Sequence, residues 1–286
     1  MIGRGGEGPQ IRRIGVGLRN AVSIPVRRAL VARRAARLVE EESAFRRRHR
    51  ARDPDVRRYR LKRRDRQVLL RHDGGDYVTL DECFGPRAAY APPPELAAAL
   101  AARPPRSVVD LGGNIGLFGL RVIDDFPACR VTAFEADPRN AEIHERCIRE
   151  NGLTARWTVE RAFAAPRAGA VRFVADGSNL SHVADPGSGE GTEVAAVDVF
   201  PLLLDADLIK VDIEGAEWAI LDDPRFADLR PAALVVEPHG RRCPGRDPIA
   251  VAVDRLKSAG YELVSVARRR PPHRPLGWGT IWATRS

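Results

Sequence analysis

"VVDLGGNIG", residues 108–116, is the stretch on which the fold turns. Two valines lead into Asp110, adjacent glycines follow at 112 and 113, and a third stands at 116 after Asn114 and Ile115. An apolar run that ends in an acid and a glycine-rich turn reads as a buried strand whose tip meets a ligand and opens a helix. From Ser107 onward the same alternation continues. Strand patterns fall near residues 107–111, 130–135, 155–160, 170–175, 193–199, 206–213, 231–237, 260–267 and 278–284. Helical patterns fall near 115–125, 138–151, 216–223 and 246–259.

Continuous apolar strands such as "AALVV" and "LIKVDI", separated by amphipathic helices, imply a parallel sheet covered on both faces. The last two strands, around "PPHRPLG", have no helix between them and should pair antiparallel. The expected fold is therefore α/β and Rossmann-like. It is a doubly wound, mostly parallel seven-stranded sheet with an antiparallel last strand, plus a basic helical N-terminal extension.

The chain has 286 residues, 44% hydrophobic and 30% charged, as in globular domains. No apolar run reaches the roughly 18 residues of a membrane span. "RRIGVGLRNAVSIPV" is interrupted by Arg19 and Pro25, so no secretion signal is read there. In so Arg-rich a tail, Arg12-Arg13 is taken as a chance pair rather than a twin-arginine signal. Cysteines at 83, 129, 147 and 243 form no C-x-x-C pair, which fits reduced thiols in the cytoplasm. The net charge of +9 is local: residues 1–50 hold 13 Arg against 4 Glu, and the remainder is balanced. The body of the chain thus has no basic stripe for nucleic acid.

Three segments are expected: a basic extension over 1–56, a lead-in over 57–105, and a ligand-binding domain over 106–286. Residues 1–20 read as disordered and 24–50 as helix. A basic amphipathic helix can rest weakly on an anionic membrane, but its mostly Ala apolar face favours a solvated helix leading into the domain. Deleting residues 1–50 is then expected to leave ligand binding intact. In the lead-in, Val68-Leu69-Leu70 and Tyr77-Val78-Leu80 read as two strands around the "DGGD" turn, followed by a helix from Pro94 to Ala102.

Two ligand classes compete for the glycine turn. The dinucleotide fingerprint is G-x-G-x-x-G, whereas the spacing here is G-G-x-x-G. A carboxylate at Asp110 repels a pyrophosphate and suits an amino or sulfonium cation. Glu135, at the tip of the next strand in "AFEAD", can accept both hydroxyls of a ribose in either class. Asp110 and the spacing together favour S-adenosylmethionine.

"VVDLGGNIG", "FEADPRN", "DLIKVDIEGAE" and "VVEPHG" in this order resemble the FkbM-type family of S-adenosylmethionine-dependent methyltransferases, over about residues 106–240. Ala136 stands where that family usually has Pro, and Gly113 where it often has Ala. The upstream "LLRHDGGDYVTLDECFGPRAAYAPP" is also similar to the family's lead-in, with Arg71, Asp76 and Tyr90 at matching places. The resemblance implies an O-methyltransferase acting on a small-molecule hydroxyl, sugar or polyketide-like. Asp110, Gly112, Gly113, Asn114, Gly116, Glu135, Ala136, Ala162 and Phe163 are then the cofactor candidates. Asp137 and Asn140 either reach the adenosine or cap the following helix, and Phe163 either lines the adenine or sits in the core.

In "LIKVDIEG", alternation puts Leu208, Lys210 and Asp212 on one face. A Lys on a buried strand is costly unless paired, and this chain has three Lys against 44 Arg. Lys210 is therefore either a functional ammonium or half of an ion pair with an acid on a neighbouring strand. Asp212, His239 and His182 are the candidate bases for a hydroxyl acceptor. Asp212, His239 and Lys210 are taken as catalytic, and Glu214, Glu237 and His182 as substrate-facing. Glu217, in the first turn of the next helix, fits the helix dipole. Asp212, Glu237 and His239 have the composition of a metal set, so a divalent metal is an open reading, but strand-end acids that orient one another are favoured over it. The rival readings are an NAD(P)-dependent oxidoreductase and a non-catalytic cofactor-binding protein.

Overall fold

The computed structural model describes residues 24–86, 88–175, 181–185, 187, 189–269 and 278–285. The tail read as disordered, its Arg pair, and the "PPHRPLG" loop lie outside the described residues. The first layer comprises α1 (Ile24–Ala36), α2 (Glu42–Ala51), the strands β1 (Arg57–Arg60) and β2 (Gln67–Leu70), α3 (Asp76–Phe84) and α4 (Pro94–Ala102). The alternating part follows with β3 (Ser107–Leu111), α5 (Leu117–Asp125), β4 (Arg130–Phe134), α6 (Pro138–Glu150) and β5 (Trp157–Glu160). Four short strands come next: β6 (Phe163–Ala165), β7 (Gly169–Val174), β8 (His182–Val183) and β9 (Thr192–Asp198). The chain then runs through α7 (Phe200–Leu203), β10 (Leu208–Val211), α8 (Glu217–Leu221), β11 (Ala233–Val236), α9 (Pro248–Ser258), β12 (Glu262–Arg269) and β13 (Trp278–Thr284).

Seven strands form one sheet in the order β12-β13-β11-β10-β3-β4-β5. The pairs β11/β10, β10/β3, β3/β4 and β4/β5 are parallel, and β13 runs antiparallel to both its neighbours. The expected doubly wound fold with an antiparallel last strand is what forms. The strands read near 170–175 and 193–199 leave this sheet. As β7 and β9 they join β6 and β8 in a separate four-stranded sheet that follows β5.

Alternation along the strands sends side chains into two cores. Val108, Leu208, Ala233, Val235 and Trp282 face the first layer with α5 and α6. Val109, Leu111, Ile209, Val211, Leu234 and Val236 face the side of α7, α8 and α9.

The lead-in departs from the expected hairpin. β1 pairs with β2, Arg57 opposite Leu70, so the strand partner of Val68–Leu70 precedes it. Tyr77, Val78 and Leu80 lie instead in α3. The reason is Asp76, whose carboxylate accepts the Arg71 N–H at 2.8 Å and the Arg71 guanidinium at 2.9 and 3.0 Å. That clamp folds "DGGD" into a helix start, where Val78 N–H reaches the Gly75 carbonyl at 2.8 Å.

The N-terminal extension departs further. The continuous helix expected over 24–50 is broken around Val39, which makes a bridge to Leu61. α1 is not a solvated leader: its Ala32, Ala35 and Ala36, with Val39 after it and Phe45 of α2, are buried in the same core as Leu120 and Ile123. Arg34 also grips Asp81 of α3, with Nη2 to Oδ2 at 2.5 Å. Among the described residues no helix is long and apolar enough to cross a membrane.

Candidate active site

The carboxyl ends of β3, β4, β10 and β11 open onto two adjoining clefts. The first spans about 510 Å³, open solvent included, between the glycine turn and the four-stranded sheet, with Glu135, Ala136, Asn140, Phe163, Phe173 and Ile213 among its walls. The second, about 430 Å³, is walled by the glycine turn, Thr79, Glu82, Tyr90, Phe118, Lys210 and Glu237. Gly112, Asn114, Asp212 and Glu214 line both, so the clefts meet at the tip of β10.

The glycine turn is shaped by its neighbours. Gly112 has φ +82, and a Cβ there would overlap the Asp212 carbonyl oxygen, so only glycine lets β3 and β10 approach this closely. Gly116 opens α5 at φ +88, and a Cβ there would stand 2.7 Å from the His144 ring. His144 Nδ1 lies 3.1 Å from the Asn114 carbonyl oxygen. Burial pushes the His144 pKa down to about 3, so the ring is neutral and donates its Nδ1 proton to that carbonyl.

Glu135 holds the same residue, Asn114, by its N–H. Its carboxylate accepts Asn114 N–H at 2.7 Å and Asp137 N–H at 2.8 Å. Burial nevertheless lifts its pKa to about 7. Asp137 caps α6 by accepting Arg139 N–H at 2.9 Å, and it accepts Ser181 Oγ–H at 2.6 Å. Of the two residues left between roles, Asp137 is a cap, while Asn140 lines the first cleft and accepts from Arg71 at 2.8 Å.

Lys210 and Asp110 face each other in register across β10 and β3. Lys210 Nζ donates to Asp110 Oδ1 at 3.0 Å and to the Gly112 carbonyl at 2.8 Å, and stands 3.4 Å from Asp212 Oδ2. Burial works against this ammonium, but the Asp110 and Asp212 carboxylates outweigh it and raise its pKa. The neighbouring-strand ion pair is thus the arrangement present, and through it Lys210 also supports the glycine turn. Asp110 lies behind the turn, fully buried, rather than in either cleft wall.

At the tips of β10 and β11, His239 sits among carboxylates. Its Nε2 is 3.5 Å from Glu214, 3.8 Å from Asp212 and 3.9 Å from Glu237, and its Nδ1 is 3.3 Å from Glu217. Burial disfavours its charge, but Glu214, Glu217 and Asp212 prevail and raise the imidazole pKa well above its usual value. Burial also pushes Glu214 up to about 8. Glu217 is no mere helix-dipole acid: fully buried, it accepts Gly215 N–H at 2.8 Å and the backbone N–H of His239. Asp212, Glu214 and His239 each offer a ligand atom within 4.8 Å of the others, which brings Glu214 into the place given to Glu237 in the metal set read from sequence.

The structure brings together Asp212, His239, Lys210, Glu214, Glu237, the glycine turn, Glu135, Ala136, Ala162 and Phe163. It does not bring His182, which pairs with Val174 on β8 and lines neither cleft; its neighbour Ser181 lines the first. Phe134, Phe173, Ser181, Thr79, Glu82 and Phe118 are wall residues that the sequence did not single out.

S-adenosylmethionine fits this arrangement. Gly112 leaves backbone exposed to a ligand at the junction of the clefts. Asn114 Oδ1 is a buried acceptor with no partner among the described residues, suited to a cationic donor group. No curated protein matches the chain. Among solved structures it is similar to the Pyrococcus horikoshii transferase PH0793, at 15% identity over 82% of this chain and 74% of that one, TM-score 0.48. It is also similar to P. horikoshii TYW2 bound to MeSAdo, at 15% identity over 81% and 71%, TM-score 0.42. A third, an O-methyltransferase family protein of Burkholderia thailandensis, aligns at 16% identity over 67% and 54%, TM-score 0.37. The methyltransferase FkbM domain matches residues 110–263, just over half of the chain, from the buried Asp110 to the start of β12. With that match spanning the turn, the first cleft and the His239 cluster, the chain belongs to the FkbM-domain family of S-adenosylmethionine-dependent methyltransferases.

Proposed function

We propose that this enzyme methylates a hydroxyl oxygen of an uncharged small molecule, of the sugar or polyketide kind, in the cytoplasm. The observation that carries the reading is Asp212, a partly exposed carboxylate where the two clefts meet. The first cleft takes the cofactor: Glu135 receives the ribose hydroxyls, Ala162 and Phe163 flank the adenine, and the glycine turn and Asn114 receive the methionine end. The second cleft takes the acceptor.

Bound S-adenosylmethionine supplies an electrophilic methyl group on a sulfonium. Asp212 takes the acceptor's proton as the oxygen–carbon bond forms and the carbon–sulfur bond breaks, so a neutral ether and a neutral thioether result. Much of the acceleration is positioning, because an in-line approach must be held between two fixed cleft walls. His239, charged among Glu214, Glu217 and Asp212, offsets the carboxylates' mutual repulsion without a metal. Among the described residues no arginine lines the second cleft and its one lysine is paired with Asp110, so its walls offer no free cation to a phosphorylated acceptor or nucleic acid.

The test is calorimetric titration with S-adenosylhomocysteine and with NAD, followed by transfer of labelled methyl to a panel of neutral polyols and hydroxylated metabolites. Binding of the homocysteine product and label on an ether oxygen support the reading. Binding of NAD alone overturns it, and cofactor binding with no transfer to any hydroxyl favours a non-catalytic role.

A further inference from the structure

Tyr90 comes from the lead-in, outside the residues that the family match covers. It is 4% exposed, and its hydroxyl lies 2.7 Å from Asp212 Oδ2 and 2.6 Å from Glu237 Oε2. Its backbone is held from two sides. Tyr90 N–H donates to the Glu82 carbonyl at 3.3 Å, and the Ala89 carbonyl accepts from Thr280 Oγ1 and Trp282 Nε1 of β13, each at 3.3 Å. The ring packs edge-on against Phe118, centroids 5.8 Å apart, with Lys210 Nζ 5.4 Å from its centre. A side chain fixed this way sets where the two carboxylates lie.

A phenol has one proton to donate. Two carboxylate oxygens at hydrogen-bond distance from one hydroxyl need a second proton in the chain, because two anions pressed on one buried oxygen repel each other. The surroundings choose its place. Lys210 Nζ stands 3.4 Å from Asp212 Oδ2, an ion-pair contact on that side of the bridge. The Glu237 side chain is more deeply buried, 10% exposed against 21% for Asp212, which favours the neutral acid at Glu237. Glu82 from α3, Glu214 and His239 complete the charged surroundings, with Asp110 behind Lys210.

We propose that Tyr90 is a positioning residue for methyl transfer: it ties Asp212 to a protonated Glu237, so that one ionised carboxylate, anchored at one oxygen, meets the acceptor. This rests on the reading of Asp212 as the base. The proton on Glu237 stays in place through the reaction, and the acceptor's proton goes to Asp212.

Infrared difference spectroscopy on the full chain reads the bridge without an acceptor. A protonated carboxylic acid has a carbonyl stretch that shifts in D₂O and that ionised carboxylates lack. Spectra are taken above the range in which Glu135 and Glu214 ionise, about 7 and about 8. The expected result is such a band in the wild type, lost in Glu237→Gln and lost in Tyr90→Phe, with both variants folded by thermal melting. Absence of the band in the wild type, or its survival in either variant, overturns the proposal. With an acceptor in hand, Tyr90→Phe should lower kcat about tenfold or more at unchanged cofactor affinity, and Glu237→Gln, which mimics the neutral acid, should keep the wild-type pH profile. Failure to bind S-adenosylhomocysteine would refute the methyl-transfer reading and leave the infrared result to decide the bridge by itself.

Discussion

Glu135 has two opposing pH effects. Burial lifts its pKa from the usual 4.5 to about 7 although two backbone N–H groups favour the charged form. Ribose hydroxyls need the carboxylate, so affinity for S-adenosylhomocysteine should rise from about pH 6 to about pH 8, by at most about tenfold per pH unit. Stability of the free protein runs the other way. A raised folded-state pKa contributes stability that is complete below 4.5 and lost as pH climbs through about 7. Glu135→Gln should flatten both dependences, read by calorimetry and by thermal melts. Asp212→Asn should lower methyl transfer by roughly 10²–10⁴-fold while cofactor affinity stays within a few fold. A variant with full turnover would remove Asp212 as the base.

At the scale of elements, the glycine turn is held from beneath by a histidine on α6. Gly116→Ala places a Cβ against His144 and forces a left-handed backbone on a residue that avoids it, so cofactor affinity should fall by about tenfold or more and stability by about 1–3 kcal/mol. α1 gives a second expectation. Ala35 is fully buried, so Ala35→Asp should destabilise by about 3–5 kcal/mol, seen as a shifted denaturant midpoint. The alternating strands and helices were legible because each carries its own hydrophobic period, and Glu135, Asp212 and His239 could be placed because they stand at strand tips, whereas the burial of Asp110 behind the turn could not be foreseen. α3 was not, because Asp76 fixes its start through Arg71, a contact that no local pattern encodes. Tyr90's partners lie 122 and 147 residues away, so its register gave no hint of them. His182 misled in the opposite way, as a polar residue in a polar stretch that the side sheet pairs with Val174 and that lines neither cleft.

Over the whole molecule, the excess of positive charge and the first core layer coincide in the N-terminal segment. Its Arg-rich composition suggested a detachable extension, whereas its small apolar residues complete a core shared with α5 and α6. Removing residues 1–52 should therefore prevent stable folding rather than leave a competent binding domain, as circular dichroism and calorimetry would register. Retained folding with normal cofactor affinity would restore the extension to a peripheral role.

Because a phenol ahead of the recognisable methyltransferase segment reaches its reacting end, the boundary drawn by sequence similarity is a poor cutting point for gene shuffling. A chimera joined near residue 106 would inherit a complete nucleoside groove but borrow its tyrosine from a foreign parent. Crossovers placed before residue 57 would carry hydroxyl, helix and acids together. Recombinant libraries built both ways should differ in the share of clones that bind donor yet do not turn over.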